Sequence, residues 1–367
     1  MFTFLKKSFI SLCLCYILLD MNILSGSNDF FGLDIGDSAI RLVQLKAGSP
    51  KKNLLRYAFV PIDFKISQSD SKTDQQKLLS LLADLISKSG IDTKNVAVGV
   101  SSSKLFTTVA DIDKLSKDEL SKAIYFQIDS LIPTSITETK VDWSLLGTSP
   151  INPNKDEVLI SSIPNSTIGN TMDMIESIGL NVIAFEPDSI ALTRALLVPG
   201  NNLVQLILDI GSHNTDLVIV VNELPSLIRS VPIGTESFVR NLAQDLNVVE
   251  DQARQLLFKF GLSKNKIENQ VYNPLLSSTE NMASEIDKSI KFFLNRHTNS
   301  KIEKFIVTGG ASSIPEFPLF LANKFHINVE IGNPWINVNY DLSRQNELLS
   351  ISNHFAVAVG LAERTNA

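Results

Sequence analysis

Two stretches of the chain carry the same hydrophobic signature. Residues 203–220, LVQLILDIGSHNTDLVIV, stay apolar up to Asp209-Ile210-Gly211, turn polar for a few positions and become apolar again. Residues 30–46, FFGLDIGDSAIRLVQLK, repeat the pattern around Asp34-Ile35-Gly36. An apolar run broken by a short polar turn containing glycine predicts two strands joined by a tight connection. Its recurrence predicts a duplicated strand–turn–strand unit carried by two related domains.

Around these units, predicted strands and helices alternate as in an α/β protein. Strands are expected at residues 40–45, 54–62, 95–100 and 106–112. Leu78, Leu79, Leu82, Leu85 and Ile86 recur at helical spacing within residues 75–89, and Gly90 stops that helix. Ser116 and Glu119 form a capping box for a helix reaching Ile132, which Pro133 ends. Strands at 140–146 and 157–163, a helix at 166–178 and a strand running to Phe185 follow. The β-α-β-β-α order of residues 106–179 predicts a small self-contained insertion. Later, Met282, Ile286, Ile290 and Phe293 mark one side of a helix at 279–296. A strand at 304–307 leads into Gly309-Gly310, and Pro315 suits the first turn of a helix to Lys324. The apolar stretch 349–363 predicts one buried helix crossing back between the two halves.

Composition narrows the chemistry. The 367 residues suffice for two or three domains, and 44% apolar and 20% charged residues are ordinary globular values. A net charge of −6 argues against a nucleic-acid binder, whose footprint is a basic patch. Both cysteines, Cys13 and Cys15, lie in the first twenty residues, so the body has no disulfide, zinc–thiolate cluster or cysteine nucleophile. His213, His297, His326 and His354 are scattered, with no pair at metal-ligand spacing and no G-x-S-x-G elbow.

The repeated turn has a chemistry of its own. An acid at the end of a buried strand can orient metal-bound water, the following glycine lets backbone N–H groups approach an anion, and Ser212 and Thr215 can donate to phosphate. Each turn taken singly is more often an ordinary hairpin. A third glycine turn after a strand, KFIVTGGASS at 304–313, completes a set of three in order.

That set resembles the actin-like ATPase superfamily. The resemblance implies an α/β, ribonuclease H-like two-domain ATPase fold with an interdomain nucleotide cleft, binding ATP and Mg²⁺. It assigns Asp34, Gly36, Asp37, Ser38 and Arg41 to one phosphate loop, and Asp209, Gly211, Ser212, Asn214 and Thr215 to the other. Asp34 and Asp209 would flank the metal, and Glu186 would help place the attacking water. Gly234, Thr235 and Glu236 would lie by the ribose, and Gly309, Gly310, Ala311 and Ser312 by the adenosine. One departure stands out: the frequent A-E-x-x-K nucleotide motif appears as Ala253-Arg254-Gln255-Leu256-Leu257, with a lysine only at Lys259. His213 reads as a solvated turn residue.

The inserted module narrows the resemblance. Residues 115–146, LSKDELSKAIYFQIDSLIPTSITETKVDWSLL, and 157–196, EVLISSIPNSTIGNTMDMIESIGLNVIAFEPDSIALTRAL, are similar to the PilM family of type IV pilus assembly proteins, whose inserted subdomain is called 1C. The implied division is a leader at 1–28, subdomain 1A at 29–105, 1C at 106–183, a return to 1A at 184–202, 2A at 203–233 and 303–348 around 2B at 234–302, and a crossing helix at 349–367. The implied function is an ATP-binding scaffold, at most a weak ATPase, on the cytoplasmic face of the inner membrane. It would bind the N-terminal cytoplasmic tail of a PilN-like membrane protein in a groove between 1A and 1C, with Phe106, Tyr125, Ile128 and Ile132 as candidate lining. Other platform components and a homo-oligomer are further implied partners. An FtsA-like division adaptor would need a C-terminal amphipathic membrane helix, for which residues 362–367 are too short. A small-molecule kinase would need an acceptor-site base, and no acid has that context.

The leader reads separately. Lys6-Lys7 and the apolar residues 9–19 have the shape of a signal peptide and are too short to span a bilayer. An ATP fold belongs in the cytoplasm, so a start at Met21 is the favoured expectation, ahead of a membrane-touching segment or a true signal. Leu12 before Cys13 argues against lipoprotein processing.

Overall fold

The computed structural model describes residues 29–365 except 68, 70, 267 and 268, so the predicted leader lies outside the described residues. In chain order the strands are β1 (Phe31–Ile35), β2 (Ala39–Lys46), β3 (Lys52–Pro61), β4 (Asn95–Val100), β5 (Phe106–Asp113), β6 (Thr139–Thr148), β7 (Lys155–Pro164), β8 (Asn181–Pro187), β9 (Gln205–Ile210), β10 (Thr215–Val221), β11 (Leu224–Val231), β12 (Lys304–Thr308) and β13 (Asn328–Ile331). The helices are α1 (Phe64–Ser67), α2 (Lys72–Ser89), α3 (Lys117–Leu131), α4 (Asn165–Glu176), α5 (Asp188–Leu196), α6 (Thr235–Leu246), α7 (Glu250–Phe260), α8 (Tyr272–Arg296), α9 (Phe317–Phe325), α10 (Gln345–Ile351) and α11 (Ala356–Glu363). The described residues form two compact units: 29–191 together with 358–365, and 192–357. The divisions fall inside α5 and α11.

The repeat seen in the sequence is a repeat of topology. In the first unit the sheet order runs β3-β2-β1-β4-β8, and in the second β11-β10-β9-β12-β13. In both, the first three strands pair antiparallel and the last two join in parallel. The central strands are apolar on both faces because both are covered, which is why they read as unbroken apolar runs. In the first unit Phe31, Leu33, Leu42, Val96 and Val98 pack with Leu78, Leu82 and Leu85 of α2. In the second, Leu206, Leu208, Leu217 and Ile219 pack with Phe238 and Leu242 of α6 and with Met282, Ile286 and Phe293 of α8.

The inserted module is an antiparallel sheet, β5-β7-β6, under α3. Its capping box is present, with Glu119 Oε2 accepting from the Ser116 backbone N–H at 3.0 Å. Leu120, Ile124 and Ile128, one helical turn apart, fill its core with Ile112, Ile132, Val158 and Ile160. The second predicted helix of the module behaves differently. Ile168 and Ile175 of α4 are buried with Leu78 and Leu82, so α4 covers the first unit's β3-β2-β1-β4-β8 strands instead of the three-stranded sheet.

Three predicted elements differ in outline. The helix expected from residue 279 begins at Tyr272, because Ser278 and Thr279 are buried polar residues inside it: Thr279 Oγ1 donates to the Leu275 carbonyl at 2.9 Å and Asn241 Nδ2 to Ser278 Oγ at 2.6 Å. The first-turn proline of α9 is Pro318; the Pro315 carbonyl instead accepts from the Leu262 N–H at 2.9 Å. The single helix expected at 349–363 is broken into α10, a 3₁₀ turn at Ser352–His354, and α11.

Candidate functional site

The two Asp-Ile-Gly turns close alike. Ile35 pairs with Ile40 and Ile210 with Thr215, five residues on in each case. Each turn is closed by one backbone bond, Gly36 N–H to the Ala39 carbonyl at 3.1 Å and Gly211 N–H to the Asn214 carbonyl at 2.9 Å.

Their charges differ. In the first unit Asp34 lies opposite Arg41, whose Nη1 donates to Asp34 Oδ2 at 3.1 Å. Burial pushes the Asp34 carboxyl above its ordinary value; the Arg41 cation and its hydrogen bond pull the other way, and Asp37 adds to the upward push. In the second unit the residue opposite Asp209 is Asp216, a second acid. The register also continues outward. Leu33 pairs with Val98 and Gly99 with Glu186, which puts Arg41, Asp34, Gly99 and Glu186 in one row on one face of four adjacent strands. Glu186, buried at the end of β8, takes a hydrogen bond from Arg364 Nη1 at 3.1 Å.

In the second unit the turn is fastened from two sides. The first N–H groups of α6 are satisfied without a side-chain cap: Thr235 N–H donates to the Gly211 carbonyl at 3.0 Å and Glu236 N–H to the Ser212 carbonyl at 2.9 Å. Gly234 makes this approach possible, since a Cβ there would strike the Ser212 carbonyl and come within 2.7 Å of the His213 nitrogen. From the other side Gly309, at φ 78°, lies so close that a Cβ would come 2.5 Å from both Asp209 Oδ1 and the Ile210 carbonyl. Three candidate hydroxyls are committed to backbone carbonyls: Thr215 Oγ1 to Ile233 at 2.6 Å, Thr235 Oγ1 to Gly211 at 3.5 Å and Ser312 Oγ to Gly309 at 2.7 Å. They shape the turns. Gly211, Ser212, Asn214 and Gly310 are the members of the set not enclosed in this way, whereas Ala311 is fully buried.

The altered A-E-x-x-K segment, on α7, also meets this cluster. Arg254 grips Glu236 with both Nη atoms, at 2.6 and 2.8 Å. That double hydrogen bond holds the Glu236 carboxyl below its usual range, overcoming partial burial, with smaller help from His213 and Arg240. A carboxylate assigned to the ribose thus already has a cation on it.

The sequence pattern of the family described as type IV pilus assembly protein PilM matches residues 32–366. The chain belongs to this family. Among solved structures, the PilM-PilN type IV pilus biogenesis complex has a chain 22% identical, covering 90% of this chain and 97% of that one, with a TM-score of 0.77. Ethanolamine utilization protein EutJ from Carboxydothermus hydrogenoformans is 13% identical over 92% of this chain and 90% of its own, at a TM-score of 0.55. MreB5 of Spiroplasma citri, solved with AMPPNP bound, is 12% identical over 92% and 95%, at 0.53. The fold is the actin-like ATPase fold.

In the PilM family member described here, the candidate partner-groove residues separate into two kinds. Ile128 and Ile132 are 2% and 6% exposed and fill the module's core, which removes them from any groove lining. Phe106, on the edge strand β5, and Tyr125, on α3, are exposed. The helical pattern alone did not single out Phe126, which is 83% exposed and meets Tyr125 edge-on at 6.2 Å between ring centroids. Among the described residues no helix is long and apolar enough to cross a membrane.

Proposed function

We propose that this PilM-family chain is an ATP-binding scaffold of a type IV pilus or related secretion platform. It holds the cytoplasmic tail of a PilN-like inner-membrane protein and is thereby recruited to the cytoplasmic face of that membrane. The observation that carries the nucleotide half is the built turn at Asp209: glycine on both flanks, no room for a Cβ at Gly309, and a helix N-terminus fastened to the turn carbonyls. The first α6 N–H groups are spent on those carbonyls, so phosphate oxygens would meet the half-buried Gly211–Asn214 turn itself, and carboxylate oxygen is the ligand type Mg²⁺ takes. Bound Mg²⁺ would neutralise phosphate charge. Asp209 would hold the metal or its waters, Gly211, Ser212 and Asn214 would face phosphate oxygens, and the Gly309-Gly310 turn would face the nucleoside. In the first unit Arg41 would offer a cation beside Asp34, a charge suited to a phosphate oxygen, and Glu186 would be the acid assigned to water.

The partner half is favoured by the likeness to a chain solved in a PilM-PilN complex, and by the exposed aromatic residues of the inserted module, Phe106 on edge strand β5 and Tyr125 and Phe126 on α3. An extended tail can add to such an edge and seat apolar side chains on Phe106, Tyr125 and Phe126. Calorimetric titration with Mg-ATP tests the nucleotide half. Asp209→Ala is expected to weaken binding at least about tenfold, in line with ~2 kcal/mol for a group at a charged hydrogen-bonding site. Equal affinities of folded variant and wild type would remove Asp209 from the site.

A further inference from the structure

The apolar pattern of residues 349–363 would suit an unbroken helix, yet the chain breaks it at Ser352–His354. In a continuing helix the Asn353 carbonyl would accept from a residue four places on. Here it is diverted to the glycine turn, accepting from the Gly309 N–H at 2.8 Å and from Thr308 Oγ1 at 3.1 Å. The Asn353 side chain turns the same way: Nδ2 donates to the Gly309 carbonyl at 3.3 Å and to Ser313 Oγ at 2.7 Å. Asn353 is 8% exposed, so these bonds form in a setting where an unmade one is costly. With Ser312, which also donates to the Gly309 carbonyl, they fix a peptide whose φ of 78° only glycine adopts easily.

We propose that Asn353 is a positioning residue for the nucleoside half of the ligand, holding the Gly309-Gly310 turn in the shape that receives adenosine. This rests on the nucleotide reading above. Because Asn353 bonds to the Gly309 turn and not to the Gly211–Asn214 turn, its loss separates two parts of one ligand. The adenosine contribution falls further than the phosphate contribution, which Gly309 reaches only through its packing on Asp209 and Ile210.

The test is calorimetry of the full chain with Mg-ATP and, separately, with Mg-bound inorganic triphosphate, for wild type, Asn353→Ala and Ser313→Ala. For Asn353→Ala the expected result is about a tenfold loss of ATP affinity with triphosphate affinity within about twofold of wild type, the loss matching one to two hydrogen bonds. Ser313→Ala, at an exposed position that leaves the fold undisturbed, gives a smaller loss in the same direction. Unchanged ATP affinity in both folded variants, or parallel loss of ATP and triphosphate, overturns the positioning role. Wild-type protein that binds triphosphate but not ATP better would overturn the placement of adenosine at this turn, and wild type that binds neither would overturn the nucleotide reading itself.

Discussion

Arg364 donates to Glu186 across 178 positions of sequence, and the two side chains are 11% and 5% exposed. Lys52 Nζ secures the same segment, donating to the Ala362 carbonyl at 3.1 Å and the Arg364 carbonyl at 2.7 Å. A buried ion pair owes little of its value to attraction alone, because both charges have left water; removing one partner strands the other. Arg364→Met is therefore expected to destabilise the protein by about 3 kcal/mol or more, read as a lower denaturant midpoint at unchanged slope. Adding Glu186→Met should recover most of the loss. A double variant as unstable as the single one would show that packing, not stranded charge, sets the cost.

Asp34 carries an opposite balance. Its carboxyl is raised by burial despite Arg41, so the folded state binds this proton more tightly than the unfolded chain does. The contribution to stability is present below the unfolded value near 3.8 and is lost as pH rises through the folded one. Asp34→Asn, which cannot ionise, should look better relative to wild type at pH 7 than at pH 4. Thermal unfolding at the two pH values checks this; a difference between variant and wild type that is the same at both, or larger at pH 4, contradicts it.

Gly309 is fixed by conformation and by space. An alanine there must hold φ 78° and place its Cβ on Asp209 Oδ1, so about 1–2 kcal/mol of backbone strain adds to a displaced carboxylate. Gly309→Ala is expected to lower the unfolding midpoint and, in protein that remains folded, to weaken Mg-ATP binding more than Gly310→Ala. Gly310 has room for a Cβ, its nearest neighbour being Thr235 Cγ2 at 3.9 Å. Equal effects of the two substitutions would contradict the crowding argument.

Much of this architecture was legible because buried strands, glycine turns and capping residues leave local marks. The Asp-Ile-Gly repeat announced a strand–turn–strand unit shared by two domains, and Ser116 with Glu119 announced α3. What was illegible was decided between distant residues. Asn353 looks like one polar residue in an apolar helix until the Gly309 turn takes up its carbonyl. Arg254 looks like a lost motif position until it closes on Glu236. Ser278 and Thr279 resemble a helix start because their hydroxyls would serve there too. Ile128 and Tyr125 lie three residues apart on one helix, and only packing against β5–β7 sends one to the core and leaves the other in solvent.

The role in pilus assembly is tested most directly by titrating the full chain with the N-terminal cytoplasmic peptide of the PilN-like protein from the same organism. Saturable binding is expected, weakened at least about tenfold when Phe106, Tyr125 and Phe126 are replaced together by serine, a loss of ~1.4 kcal/mol or more. Tyr125 and Phe126 are largely exposed while Phe106 is only 37% exposed, so the variant should stay folded with a midpoint lowered by the Phe106 change alone. Absence of saturable binding by the wild-type chain up to about 1 mM peptide, with the fold intact, would contradict the scaffold role.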